Sequence, residues 1–186
     1  MSTALPDWAR RARVGWRWTG AGRPPFADAP RPGQESVWDY PRPPRLDPVE
    51  RHVLVQLGGC VIADTRAAVR ALETAHPPTY YIPRADVRSN CLVPEPGTSL
   101  CEWKGAASYW TVRSDEGVVA ERGAWSYEDP FPEFEAIRGH VSFYPARFEC
   151  FVDGERVLPQ PGGFYAGWVT SDVVGPFKGG AGSAGW

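Results

Sequence analysis

Frequent glycine and proline residues are the feature that most restricts the fold of this chain. The 186 residues include 20 Gly and 20 Pro, each well above average usage. Proline interrupts helices and central strands, and glycine weakens both. Regular elements must therefore be short and their connections long, which favours a mainly β class over a helical bundle. The length suits one domain with long arms, or one domain and a small appendage.

Charge and hydropathy exclude several classes of protein. The formal net charge of −2 argues against a general nucleic-acid binder, whose footprint is usually basic. No run approaches the roughly 20 apolar residues of a membrane helix, so we expect no membrane partner. The first residues, from Met1 to Arg11, lack the apolar core of a secretion signal. The sequence therefore predicts a cytoplasmic protein.

Cysteine spacing predicts thiols rather than a metal centre. The four cysteines are widely separated and form no C-x-x-C pair: Cys60, Cys91, Cys101 and Cys150. In a reducing compartment they are most simply free thiols. A tetrahedral zinc site built from them is the alternative, although it departs from the usual paired spacing. We predict no metal and no cofactor.

Both ends of the chain have the composition of arms. Residues 1–48 are rich in Arg, Pro and Trp, and residues 159–186 are rich in Gly and aromatic residues. Disordered segments are poor in aromatics, so we expect these arms to dock on the body or on a partner chain. Docking on a partner chain predicts a homodimer formed through the arms.

Residues 49–158 show the patterns of the body. Val53, Val55 and Leu57 alternate with other residues as in a strand, and Gly58-Gly59 predicts a hairpin turn. Asp153-Gly154 predicts another. Further strands are expected near residues 79–83, 106–113, 118–127, 141–144, 147–152 and 155–158. Apolar residues at helical spacing, ended by two prolines, predict one short helix over about 65–76.

A lysine among aromatic residues is the best candidate for a ligand site. Lys104 precedes Gly105 at the start of a predicted strand, and glycine there permits close approach of a ligand. Aromatic side chains that alternate on neighbouring strands are typical of small-molecule pockets. Lys104 could hold an anion or, with a lowered pKa, act as a base or nucleophile. A surface lysine lying over aromatic rings is the structural alternative.

Several of these runs resemble the domain-of-unknown-function family 427 over roughly residues 49–158. The resemblance is carried by Tyr80-Tyr-Ile-Pro-Arg-Ala-Asp-Val, Cys101-Glu-Trp-Lys-Gly-Ala-Ala-Ser-Tyr-Trp, Ala124-Trp-Ser-Tyr, Val141-Ser-Phe-Tyr and Val152-Asp-Gly-Glu. The flanking arms look like those of longer members. The resemblance implies two antiparallel sheets of β-tent type. A label linked with the family suggests nucleotidyl transfer, but we find no motif here that supports it.

We predict that the protein binds a small metabolite in an aromatic pocket, and the lysine makes an anion one candidate. The predicted ligand-binding residues are Tyr81, Arg88, Lys104, Tyr109, Trp125 and Tyr127. The alternative is an enzyme that uses the same pocket, with Lys104 supplying charge and Cys101, or one of the nearby carboxylates Glu102 and Glu128, transferring a proton. A protein interaction module is the third alternative. It explains the Trp-rich arms and leaves the central lysine unexplained.

Overall fold

The structure, a computed structural model, describes residues 5–186 and consists mainly of short strands. In chain order the strands are β1 (Glu35–Ser36), β2 (Arg45–Pro48), β3 (Val53–Leu57), β4 (Cys60–Thr65), β5 (Val69–Leu72), β6 (Thr79–Tyr81), β7 (Leu92–Cys101), β8 (Gly105–Arg113), β9 (Val119–Ser126), β10 (Val141–Phe143), β11 (Glu149–Val152), β12 (Glu155–Arg156), β13 (Leu158–Pro159), β14 (Trp168–Val169) and β15 (Val173–Val174). One α-helix, α1, spans Asp7–Ala12, and short 3₁₀ turns span Val37–Asp39, Arg84–Asp86, Ser89–Cys91 and Pro132–Ile137. The predicted mainly β class is confirmed.

Two four-stranded antiparallel sheets form the centre of the molecule. Their strand orders are β10-β9-β8-β7 and β12-β11-β3-β4. The predicted turns both occur: Gly58 and Gly59 have φ of 60° and 80°, and Asp153 and Gly154 have φ of 50° and 82°. These positive values are those that a tight two-residue hairpin requires. A third sheet, β2-β5-β6, lies beside them.

Strand alternation divides the molecule into separate apolar layers. On β9, Ala124 faces the core between the two four-stranded sheets, whereas Trp125 faces a second cluster shared with β5 and β6. On β8, Val112 and Tyr109 divide in the same way. Successive side chains of a strand point to opposite faces, so one sheet contributes to both layers. The aromatic residues of the predicted site fall in the second layer.

The helix predicted over 65–76 is wrong, because this segment contains strand β5. The strand pairs with β2 on one side and β6 on the other. Val69 and Ala71 belong to one apolar cluster, whereas Leu72 belongs to another. A strand buried on both faces has no polar alternation, and its apolar residues can match helical spacing by coincidence.

Both arms dock on their own chain. β1, from the N-terminal arm, pairs in parallel with β15 of the C-terminal arm. Trp38 is fully buried in a cluster that also includes Leu72 and Val173, with Trp18 and Trp186 packed against it. The range assigned to the N-terminal arm also includes β2, which hydrogen-bonds to β5. None of the helices in residues 5–186 has the length and apolar character needed to cross a membrane.

Candidate functional site

A cavity of about 660 Å³ lies on the face of the β7–β10 sheet that carries Trp125. Its walls come from β5, β6, β7, β8 and β9 and from the turn between β7 and β8. Residues from both arms, among them Trp16 and Tyr165, cover it. The volume lies within the range typical of small-molecule sites.

Most of the residues predicted for the site line this one cavity. They are Tyr81, Cys101, Lys104, Tyr109, Trp125 and Tyr127. Arg88 does not line it: its guanidinium pairs with Asp115 at 2.6 Å and donates to the Val61 carbonyl. Arg88 follows a short 3₁₀ turn next to β4, so nearness in sequence to Tyr81 does not bring it to the cavity.

The turn between β7 and β8 holds Lys104 inside the molecule. Its side chain belongs to a residue only 8% exposed. The Lys104 carbonyl accepts a hydrogen bond from the Phe131 N–H at 3.1 Å, and Gly105 follows with φ of 101°. A non-glycine residue rarely adopts this φ, so glycine permits the bend that directs Lys104 inward. The surface-lysine alternative therefore fails.

The ammonium group of Lys104 has few protein partners. Its Nζ lies 4.0 Å from the Cys101 Sγ and 5.6 Å from the centroid of the Phe134 ring. No carboxylate in residues 5–186 lies within ion-pair distance of it. An ammonium has three donors, so this buried group keeps hydrogen-bonding capacity for a ligand.

The charge state of Lys104 argues against its use as a base. Burial alone would lower the pKa of Lys104, but Cys101, Tyr81, Glu73 and Glu102 together raise it above its ordinary value. The amine therefore remains an ammonium ion at neutral pH. The expected lowered pKa is not found, and Lys104 can supply charge but no free amine.

Aromatic side chains line the same cavity as this cation. The Tyr81 ring lies 6.3 Å from that of Trp125 and 6.2 Å from that of Tyr127, and Trp125 lies 4.7 Å from Tyr144. Burial raises the pKa of Tyr81 to about 12, although the charge of Lys104 opposes the shift. Burial, together with the neighbouring Tyr81 and Cys101, holds the pKa of Tyr127 well above its usual range. Both phenols are therefore neutral hydrogen-bonding groups at physiological pH.

The charged residues around the cavity are mostly basic. Lys104, Lys178, Arg122 and Arg147 line it together with two carboxylates. One of these, Glu73, already pairs with the buried Arg42 at 3.1 Å. The cavity is therefore better suited to an anion than to a cation.

Of the two carboxylates suggested as proton-transfer groups, only one lies at the site. Glu102 lines the cavity, whereas Glu128 accepts a hydrogen bond from the Ser126 hydroxyl and does not line it. The Glu73 carboxylate lies there instead. No group of three His, Cys, Asp or Glu side chains within residues 5–186 could hold a metal ion, and all four cysteines are free.

Sequence reasoning missed a second polar group in the cavity. His76, Gln160 and Lys178 line it, and the last two belong to the C-terminal arm. Lys178 is only 5% exposed and lies 4.6 Å from the Trp16 ring centroid. The chain contains only two lysines, Lys104 and Lys178, and both are buried at this cavity. The scarcity of lysine could have indicated Lys178. No sequence pattern could have indicated His76 and Gln160, because they are far apart in sequence.

Comparison with known proteins identifies the family of the body. The model of a family described as a domain of unknown function (DUF427) matches residues 45–154, more than half of the chain. The match contains Lys104 and most of the aromatic residues of the cavity but neither Gln160 nor Lys178. No curated protein matches the chain. The chain therefore belongs to the family of the domain of unknown function DUF427.

Proposed function

We propose that this protein binds a small anionic metabolite in the cavity around Lys104. The observation that supports this most directly is a buried ammonium, which faces an aromatic-lined space and has no carboxylate partner among residues 5–186. Burying an unpaired charge costs several kcal/mol. An anionic ligand would replace the missing partner and offset part of that cost.

The walls of the cavity support a ligand with a flat apolar part. Trp125, Tyr81 and Tyr127 offer ring surfaces, and their polar atoms can orient a bound molecule. The excess of basic groups supports an acidic function on the same molecule. The four free thiols favour a reducing compartment, so a cytoplasmic location is part of this proposal.

Thermal stability in the presence of a panel of anionic metabolites tests the proposal. A ligand that binds only the folded state, at 100 times its Kd, stabilises by about 2.7 kcal/mol and raises the melting temperature. We expect Lys104→Met to weaken binding by roughly 10- to 100-fold, because a hydrogen bond to a charged group contributes about 1.5–3 kcal/mol.

Arg88→Met is the matched control for that experiment. It also removes one positive charge, but Arg88 lies outside the cavity and pairs with Asp115 at the surface. The control should retain the thermal response of the wild type. Equal responses of wild type and Lys104→Met would contradict a site at Lys104.

An enzyme using the same cavity is the second candidate, supported by the contact between Cys101 and Lys104. The Lys104 Nζ donates to the Cys101 Sγ at 4.0 Å, so the two groups could act on the same bound molecule. In this scheme Lys104 supplies charge and Cys101 transfers a proton. Cys101→Ser should then abolish turnover of a metabolite that the variant still binds. Turnover unchanged in this variant would exclude Cys101 from the reaction.

The homodimer through the arms stays a prediction. In the structure the arms contact their own chain through β1 and β15. Light scattering tests the prediction, because a dimer gives twice the mass of one chain. A dimer formed through the arms should also dissociate to monomers when residues 1–34 are deleted, and a truncated protein that stays dimeric would count against it.

A further inference from the structure

His76 is the polar group of the cavity whose hydrogen-bonding state the structure defines best. It follows β5, and its ring packs edge-on against Tyr165 of the C-terminal arm, with 4.6 Å between ring centroids. Its Nδ1 lies 3.0 Å from the Nε2 of Gln160. Its own Nε2 has no hydrogen-bond partner among residues 5–186, and this atom keeps some accessible surface. One ring nitrogen is therefore occupied, and the other is available.

The orientation of the Gln160 amide determines which ring nitrogen of His76 carries the proton. The Gln160 Oε1 accepts from the Gly167 N–H at 3.0 Å, and its Nε2 donates to the Lys178 carbonyl at 2.8 Å. A reversed amide would lose both bonds. A Cβ on Gly167 would lie 2.3 Å from that oxygen, so glycine permits the contact. Because the Gln160 Nε2 is a donor, the His76 Nδ1 must accept, and the imidazole proton must lie on Nε2.

The surroundings of His76 keep the ring uncharged. Burial lowers the pKa of His76 to about 4, with Arg42, Lys178 and Lys104 acting in the same direction and Glu73 opposing them. Protonation of Nδ1 would also place two donors against each other at Gln160. A neutral ring of defined tautomer presents a single N–H to the cavity. Such a group recognises a hydrogen-bond acceptor and adds no charge.

We infer that His76 is a ligand-binding residue that donates from Nε2 to an uncharged acceptor, and that Gln160 is its positioning residue. This inference rests on the proposed function, because Lys104 would bind the acidic group of the same molecule. The ligand class is then a small acid that also carries a carbonyl-type oxygen, with an apolar or aromatic part between the two. The C-terminal arm, outside the matched family region, completes the site.

The tautomer can be measured before any ligand is known. Long-range proton–nitrogen correlation NMR on isotope-labelled protein should show His76 neutral, with its proton on Nε2, at neutral pH. In Gln160→Glu a carboxylate would accept from Nδ1–H, so the tautomer should invert and the pKa of His76 should rise. A wild-type ring with its proton on Nδ1 would overturn the inference without touching the proposed function.

Binding of pairs of isosteric acids tests whether His76 recognises an acceptor oxygen. The probes are acetylbenzoate, as its meta and para isomers, and the corresponding isopropenylbenzoates, in which a methylene replaces the carbonyl oxygen. We expect the wild type to bind one acetylbenzoate about fivefold more tightly than its isostere, the contribution of one hydrogen bond. His76→Phe keeps the aromatic contact with Tyr165 but has no donor, and it should bind both probes equally.

The outcomes separate the two proposals. If Lys104→Met no longer binds the probes and His76→Phe no longer discriminates between the isosteres, both proposals are supported. Equal binding of the two isosteres by the wild type, still dependent on Lys104, overturns the role of His76 alone. Binding of neither probe to the wild type removes aromatic acids as ligands and the inference with them. Near-ultraviolet circular dichroism of His76→Phe shows that it is folded and keeps that variant decisive if Gln160→Glu fails to fold.

Discussion

Lys104 and His76 place two unlike polar groups at one cavity. Lys104 is a buried ammonium whose pKa is raised by its neighbours despite the opposing effect of burial, so it stays charged. The imidazole of His76 is neutral because burial lowers its pKa to about 4. A charge and a neutral donor in the same space can recognise two different groups of one ligand.

The lowered pKa of His76 predicts a loss of stability in acid. Its folded value of about 4 lies below the ordinary value of 6.5. Between these values the unfolded chain binds more protons, so the contribution is complete above pH 6.5 and is lost as the pH falls toward 4. Glu73, Arg42, Lys178 and Lys104 face the ring, and the first opposes the shift.

Urea denaturation of wild type and His76→Phe at several pH values measures this contribution. Between neutral pH and pH 4 the free energy of unfolding of the wild type should fall by about 1–3 kcal/mol more than that of the variant. Each pKa unit is worth about 1.4 kcal/mol, and partial exposure of the ring reduces the total. Parallel pH profiles for the two proteins would contradict a neutral His76.

Individual elements position the site through close backbone contacts. The segment after β13 covers the cavity with Phe164 and Tyr165. It packs against the residues after β15, where the backbone of Gly162 meets that of Gly179. The approach is so close that a Cβ on Gly162 would lie 2.0 Å from the Gly179 carbonyl oxygen. Only a residue without a side chain allows this approach. The cover therefore depends on glycine at this contact.

Gly162→Ala and Gly163→Ala form a matched pair that tests this contact. Both glycines have positive φ, 88° and 69°, but an added Cβ on Gly163 would meet nothing within 4 Å. We expect Gly163→Ala to cost about 1 kcal/mol, the cost of left-handed backbone for an L-residue. Gly162→Ala should cost about 3 kcal/mol and weaken binding at Lys104, because the segment must move.

Denaturation and the thermal response to the best ligand of the panel measure these two effects. Equal losses in the two variants would show that the segment is not held at Gly162.

Across the whole molecule, buried polar contacts tie the N-terminal arm to the body. The Arg42 side chain is 1% exposed and pairs with Glu73 at 3.1 Å. It also donates to the carbonyls of Thr74 at 3.0 Å and Trp18 at 3.1 Å, and its guanidinium lies 4.0 Å from the Trp16 ring centroid. The arm thereby holds in place a carboxylate and an indole that line the cavity.

Arg42→Met should destabilise the protein by about 3 kcal/mol, because it leaves a partly buried carboxylate without its partner. Arg23→Met is the control: Arg23 pairs with Asp39, and these side chains are 41% and 49% exposed. Exposed pairs contribute at most about 1 kcal/mol. Chemical denaturation compares the two, and similar losses would show that the arm is held mainly by apolar contacts.

Local sequence patterns determined many of the strands of the body, its hairpin turns and most of the candidate residues. Alternation on β8 and β9 is a property of neighbouring residues, so it allowed Tyr109 and Trp125 to be predicted for one pocket, and the structure places both in one cluster. The aromatic residues near it in sequence and the glycine that follows it identified Lys104. These inferences depend on short stretches of chain, where the period of two in a strand directly relates sequence to direction.

Tertiary structure alone decided the identity of β5, the place of Arg88 and the second polar group of the cavity. Val69 and Leu72 fit helical spacing until β2 and β6 supply hydrogen bonds on both edges. The tautomer of His76 is set by its contact with Gln160, which is 84 residues further along the chain. Pairing partners and contacts at such separations arise from how the arms fold back, and no local pattern records them.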